Sequence, residues 1–75
     1  HIISFKGVFF MVKSEKEALF HIYHEESLYE LGQITKDVLR EKLDYFIRVL
    51  ADYDYSNAEI QCLRVNKRYG FSLEI

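Results

Sequence analysis

The chain has 75 residues, 49% of them hydrophobic and 29% charged, with a formal net charge of −2 and a single cysteine. That length holds one domain with one small core, and its ordinary globular proportions exclude a disordered or fibrous chain. The longest apolar run, residues 8–12, is too short to cross a bilayer, and the negative net charge excludes a generic polycationic coat for nucleic acid.

No signal-peptide pattern opens the sequence, and Cys62 has no second cysteine to pair with, so a reducing, cytoplasmic setting without a membrane anchor is expected. Charge is distributed unevenly. Between residues 14 and 31, Lys16 stands alone against Glu15, Glu17, Glu25, Glu26 and Glu30, whereas residues 63–70 carry Arg64, Lys67 and Arg68 and no acid. A cation cluster on an acidic chain is the nearest thing here to an electrostatic footprint.

Residues 2–5 and 8–12 are rich in β-branched and aromatic side chains and are separated by Lys6-Gly7, which predicts a tight β-hairpin. Ser14-Glu15-Lys16-Glu17 reads as a capping box, with Ser14 accepting from the third helical amide and Glu17 reaching back to the Ser14 amide. About ten helical residues follow, with Ala18, Leu19, Ile22 and Tyr23 on the inner face. Phe20 falls off that face, and the alternation of Leu19, His21 and Tyr23 with Phe20, Ile22 and His24 leaves a strand open as the alternative. Ser27-Leu28-Tyr29-Glu30 is a second capping box and predicts a separate, very short helix ended by Gly32.

Residues 35–53 carry the fullest helical signal. Leu39, Leu43, Phe46, Ile47 and Leu50 share one face, while Arg40, Asp44, Arg48 and Asp52 alternate in sign on the other. Thr35 caps the start, Asp37 complements the dipole in the first turn, and Ile34 can staple onto Leu39. Asp54-Tyr55-Ser56-Asn57 then reads as a polar turn. Residues 58–65 read as a strand whose apolar residues change phase between Cys62 and Leu63, suggesting a bulge or burial on both faces. Residues 66–70 form a turn, and Phe71, Leu73 and Ile75 alternate with Ser72 and Glu74 as a final strand.

Three stretches in this order carry a resemblance. Val12-Lys13-Ser14-Glu15-Lys16-Glu17, the stripe from Leu39 to Leu50, and Gly70-Phe71-Ser72-Leu73 are similar in turn to the Leu-Thr-x-x-Glu helix start, the third-helix stripe and the wing end of OmpR-like response-regulator effector domains. The resemblance implies an α+β fold: a small winged helix-turn-helix with an N-terminal β-hairpin, three helices and a C-terminal β-hairpin wing. It implies one domain over residues 1–75, of a size that fits one piece of a larger regulator. The implied function is double-stranded DNA binding in transcription regulation, with Thr35, Lys36 and Arg40 at base edges and Arg64, Lys67 and Arg68 on phosphate.

Against this stands a reading from another class. Asp37, Glu41 and Asp44 share the exposed face with Lys36, Arg40 and Arg48, and carboxylates repel phosphate. With the acidic first half and Tyr45, Tyr53 and Tyr55, this favours a non-catalytic protein-interaction or dimerisation domain, binding a second copy or another protein.

Sharper chemistry finds little support. His21 and His24 lie i,i+3 without further ligands at metal-site spacing, and Asp52-x-Asp54-x-Ser56 imitates a calcium loop but has Asn57 in the glycine place and Leu63 in that of the bidentate glutamate. Lys67-Arg68-Tyr69-Gly70-Phe71 partly resembles the aromatic motif of RRM proteins, but reads better as a basic turn beside a core Phe71. No phosphate-cradling glycine loop or nucleophile elbow occurs, and Cys62 reads as a small buried hydrophobe. Neither a metal, a cofactor nor an enzymatic activity is expected.

Overall fold

A computed structural model describes residues 4–5 and 8–9 as backbone and residues 12–75 in full. Three helices carry the fold: α1 (Glu15–Glu30), α2 (Lys36–Tyr53) and α3 (Tyr55–Tyr69). Ahead of them β1 (Ser4–Phe5) and β2 (Val8–Phe9) form a two-residue antiparallel ladder, Ser4 opposite Phe9 and Phe5 opposite Val8. Lys6 and Gly7, where the turn was expected, lie outside the described residues, as do Ile2, Ile3, Phe10 and Met11.

The expected α+β winged helix-turn-helix is therefore overturned. The predicted strand at 58–65 and turn at 66–70 are one helix, so there is no C-terminal hairpin and no wing. The strand reading failed because Ile60 and Leu63 point away from the core and break the apolar spacing. The buried positions Ala58, Cys62, Val65 and Tyr69 follow helical period, and the change of phase at Leu63 is not a bulge. The polar turn before it is the cap: Asp54 Oδ1 accepts from the Asn57 amide at 3.1 Å, which also removes Asp54 from any calcium loop. Asp54 closes α2 as well, its amide donating to the Leu50 carbonyl at 2.8 Å, so one residue reverses the chain between two helices.

The first half differs too. Ser14 caps as expected, its Oγ accepting from the Glu17 amide at 3.1 Å, but Glu17 reaches back to the Lys13 amide instead of that of Ser14. The helix then runs unbroken to Glu30, so the second capping box is helix interior. The Leu31 amide donates to the Ser27 carbonyl at 2.9 Å, because nothing between Tyr23 and Ser27 interrupts the ladder. Gly32 ends it at φ 76°, a conformation that penalises any side chain; its amide reaches Tyr29 and that of Gln33 reaches Leu28, which makes a Schellman cap. Thr35 opens α2 as predicted, accepting from the Val38 amide at 3.2 Å.

α2 is the central helix and packs against both neighbours. It buries Leu39, Leu43, Tyr45, Phe46, Ile47 and Leu50; α1 contributes Ala18 and Ile22, and α3 adds Ala58, Cys62, Val65 and Tyr69. Contacts from Glu15 to Asn57 and from Glu26 to Arg64 and Arg68 show that α1 and α3 run in the same direction, antiparallel to α2. Residues 71–75, the expected last strand, have no strand pairing. The Asn66 amide group takes the place of a partner strand, donating to the Leu73 carbonyl at 3.0 Å and accepting from the Leu73 amide at 2.9 Å. Among the described residues no helix is long and apolar enough to cross a membrane.

Because Leu43 and Phe46 are wholly buried between neighbours, Leu43→Ala or Phe46→Ala removes packing that nothing else replaces. Each substitution is expected to lower unfolding free energy by about 2–5 kcal/mol in a denaturant titration, a large part of what a domain this small holds. Melting unchanged from wild type would overturn the assignment of α2 as the core helix.

Candidate functional site

The densest polar constellation lies between α1 and α3, whose Cα atoms stay more than 8 Å apart. Long side chains bridge that space. Glu26, only 4% exposed, forms a bidentate pair with Arg64, Nη1 to Oε1 at 2.8 Å and Nη2 to Oε2 at 2.6 Å. Its Oε1 also accepts from Arg68 Nη1 at 3.2 Å and from the Tyr69 hydroxyl at 2.8 Å. Arg68 pairs in addition with Glu30, and Arg64 Nε donates to Gln61 Oε1 at 2.9 Å while its guanidinium lies over the Tyr23 ring. With Ser27 these residues, Tyr69 excepted, line an open cleft of about 400 Å³.

Helical spacing explains the arrangement. Glu25 and Glu26 are successive residues turned about 100° apart, so one faces α2 and the other α3. Glu25 is buried with its Oε1 3.3 Å from Lys42 Nζ, a charge contact and not an aligned hydrogen bond. Burial raises the Glu26 pKa, but the Arg64 and Tyr69 hydrogen bonds and the two guanidinium charges outweigh it and leave that pKa below the usual carboxylate value. Burial, then the bond to Glu26 and its charge, push the Tyr69 hydroxyl up to about 12, and the same carboxylate raises Arg64 above its ordinary value. The acids and bases of the cleft satisfy one another and leave no activated nucleophile or free general base.

Both carboxylates were read from sequence only as part of an acidic stretch. A signal was nevertheless present: Ala18, Ile22, Glu25, Glu26 and Tyr29 continue one helical face, and Arg64 and Arg68 sit one turn apart to meet it.

The predicted DNA-contact residues fall into separate places. Arg64 and Arg68 are in the cleft, held by Glu26 and Glu30. Lys67 is exposed on the outer side of α3. Thr35, Lys36 and Arg40 are exposed at the start of α2, where the Thr35 hydroxyl is occupied as a cap and Lys36 Nζ lies 5.8 Å from the Phe71 ring centroid. None of the six stands on a wing.

The remaining expectations divide similarly. His21 stacks on Phe46 with centroids 4.6 Å apart, and burial lowers its pKa. His24 lies flat on Phe20, which is thereby partly covered, and no group of three or more His, Cys, Asp or Glu side chains is arranged for a metal among the described residues. Cys62 is buried in a helix and not a strand. Its Sγ donates to the Leu73 carbonyl at 3.1 Å, and burial pushes its pKa up, away from the reactive thiolate.

A second feature was missed altogether. Ile60 and Leu63 are 60% and 71% exposed, one turn apart on the side of α3 turned from the core. Beside Leu63 a mainly apolar groove of about 290 Å³ runs between α3 and residues 71–75, lined by Tyr55, Cys62, Leu63, Leu73 and Ile75 together with the polar side chains of Glu59, Asn66 and Glu74. Glu59 and Lys67 flank Leu63 at four residues on either side, exposed and without ion pairs among the described residues.

A depressed folded pKa means that the Glu26 contribution is present above the ordinary value of 4.5 and is lost as pH falls through the lower folded one. Stability is expected to drop in that acid window. Glu26→Gln should lose about 1–3 kcal/mol at pH 7, the arginines being partly solvated, and should show a shallower acid limb in denaturant titrations between pH 7 and 2. An identical pH profile in the variant would show that the pair contributes nothing.

Comparison with protein-family models, with curated proteins and with solved structures gives no match, so the OmpR-like resemblance gains no support from known relatives.

Proposed function

We propose that this chain is a non-catalytic protein-interaction module that docks an amphipathic helix of a partner protein on the outer face of α3. The observation that carries the reading is the pair Ile60 and Leu63, large aliphatic side chains left in water on the outer side of α3, with Leu63 also lining a mainly apolar groove. A single exposed aliphatic residue is ordinary, but two in register with a groove and bordered by charges of opposite sign have the layout of a helix-docking surface. A ridge of apolar side chains on the partner fits the groove, and Glu59 and Lys67 favour one direction of approach. The buried, poorly ionising Cys62 suits a reducing, cytoplasmic setting.

Duplex DNA is the second reading, favoured by the exposed Lys36 and Arg40 at the start of α2 and by Lys67. It is weaker because Arg64 and Arg68 are already neutralised by carboxylates, which leaves few cations to displace counterions.

Fluorescence anisotropy separates the two. One probe is a labelled amphipathic helical peptide with an apolar i,i+4 ridge, Lys at one end and Glu at the other; the second is a labelled duplex at several salt concentrations. Peptide binding is expected, abolished by Ile60→Asp with Leu63→Asp and retained by the triple Lys36→Ala, Arg40→Ala, Lys67→Ala, apart from a minor loss at Lys67. The reverse pattern, with salt-dependent duplex binding that the triple variant loses, would overturn the interaction reading in favour of DNA.

A further inference from the structure

Resting on the interaction reading, the inference concerns which helix fits this face. We infer that the partner helix is α3 of a second copy of this chain, packed antiparallel across Leu63 about a two-fold axis. Glu59, Leu63 and Lys67 form one ridge along α3, with steps of about 6 Å between successive members. A two-fold axis through Leu63 is the only kind of pairing that sets a ridge against itself in opposite directions. Leu63 then meets Leu63 of the second copy, Glu59 meets Lys67, and Lys67 meets Glu59, so both charges lacking an ion pair among the described residues gain one. A parallel pairing fails on the same ground, because it sets Glu59 against Glu59 and Lys67 against Lys67.

Neighbouring features agree with the antiparallel arrangement. Ridges at i±4 spacing pack into one another at a crossing of about −50°, which carries the helix ends apart and keeps the contact centred on Leu63 and Ile60. Ile60 of each copy lies one turn from the axis and extends the apolar contact beyond the two leucines. The groove beside Leu63 presents Tyr55, Leu73 and Ile75 as apolar contacts for the other copy, with Glu74 and Asn66 at its polar part. Arg64, next in sequence to Leu63, is turned into the α1 cleft by Glu26 and so places no third charge on the ridge. The contact is small for a permanent dimer, and the pair is expected to dissociate on dilution.

Sedimentation equilibrium over a range of concentrations tests this on the whole chain. Wild type is expected to move from 9.0 kDa towards twice that mass as concentration rises. Leu63→Asp should remain a monomer with an unchanged circular dichroism spectrum. Glu59→Lys and Lys67→Glu should each weaken association roughly tenfold, since each sets like charges together twice in the symmetric pair, and the double reversal should restore it. Wild type that stays monomeric at the highest concentration overturns self-pairing, and so does a double reversal as weak as the single ones. If the monomeric chain still binds the amphipathic peptide through Ile60 and Leu63, the interaction reading survives and only the second copy is excluded. Absence of both removes the two together.

Discussion

Glu26 holds α1 and α3 in one register. Its two oxygens take Arg64 in bidentate fashion and Oε1 also accepts from Arg68 and Tyr69, so the last two turns of α3 are tied to the C-terminal part of α1. A buried carboxylate tolerates this position because both its oxygens are paired; a shift of α3 by one residue would turn Arg64 away and leave a largely buried charge short of its main partner. Apolar packing against α2 supplies most of the cohesion, but oily side chains slide more easily than a forked guanidinium on a carboxylate. The pair therefore acts as a register mark within a bundle whose driving force is the burial of Leu39, Leu43, Phe46 and Leu50.

The same pairing divides the surface by charge. Arg64 and Arg68 are two of the three cations of the chain's basic segment, and both are paired with carboxylates of α1. What α3 presents outward is consequently Ile60 and Leu63 with one acid and one base, a pattern with little net charge and considerable apolar area. The proposed interaction reading rests on that pattern, since counterion release needs free cations whereas helix packing needs complementary shape. The neighbouring segment is secured separately: Asn66 pairs with the backbone of Leu73, and Cys62 contributes a weaker bond to the same carbonyl. This fixes one wall of the groove without a second strand.

Several local signals were read correctly and placed in the wrong context. Ser14, Thr35 and Gly32 act at helix ends as their chemistry requires, and the stripe on α2 is buried as its spacing predicts. Ser27 carries an equally good capping pattern yet lies inside α1, because a cap forms only where the backbone leaves the helix, and nothing upstream forces it to leave. Asp54, expected in a polar turn, caps α3. Gly70, assigned to a hairpin turn, is the left-handed residue that ends that helix at φ 76°.

By itself the sequence determined what depends on near neighbours: the start of α1, the extent of α2 with the buried stripe Leu39, Leu43, Phe46, Ile47 and Leu50, and the glycine at which α1 stops; Tyr45, expected on a binding surface, is buried beside that stripe. Those features rest on bonds and contacts within about one turn, and the residues concerned are adjacent in the chain. Tertiary structure alone decided that residues 58–65 are helical, since Ile60 and Leu63 blur the period and only packing of Ala58, Cys62 and Val65 on α2 selects the helix over the strand. It also decided the fate of the charges. Whether Glu26 is a solvated acid or a buried anchor depends on Arg64, 38 residues away: helical spacing puts each on a suitable face, but only the packed structure brings the two together.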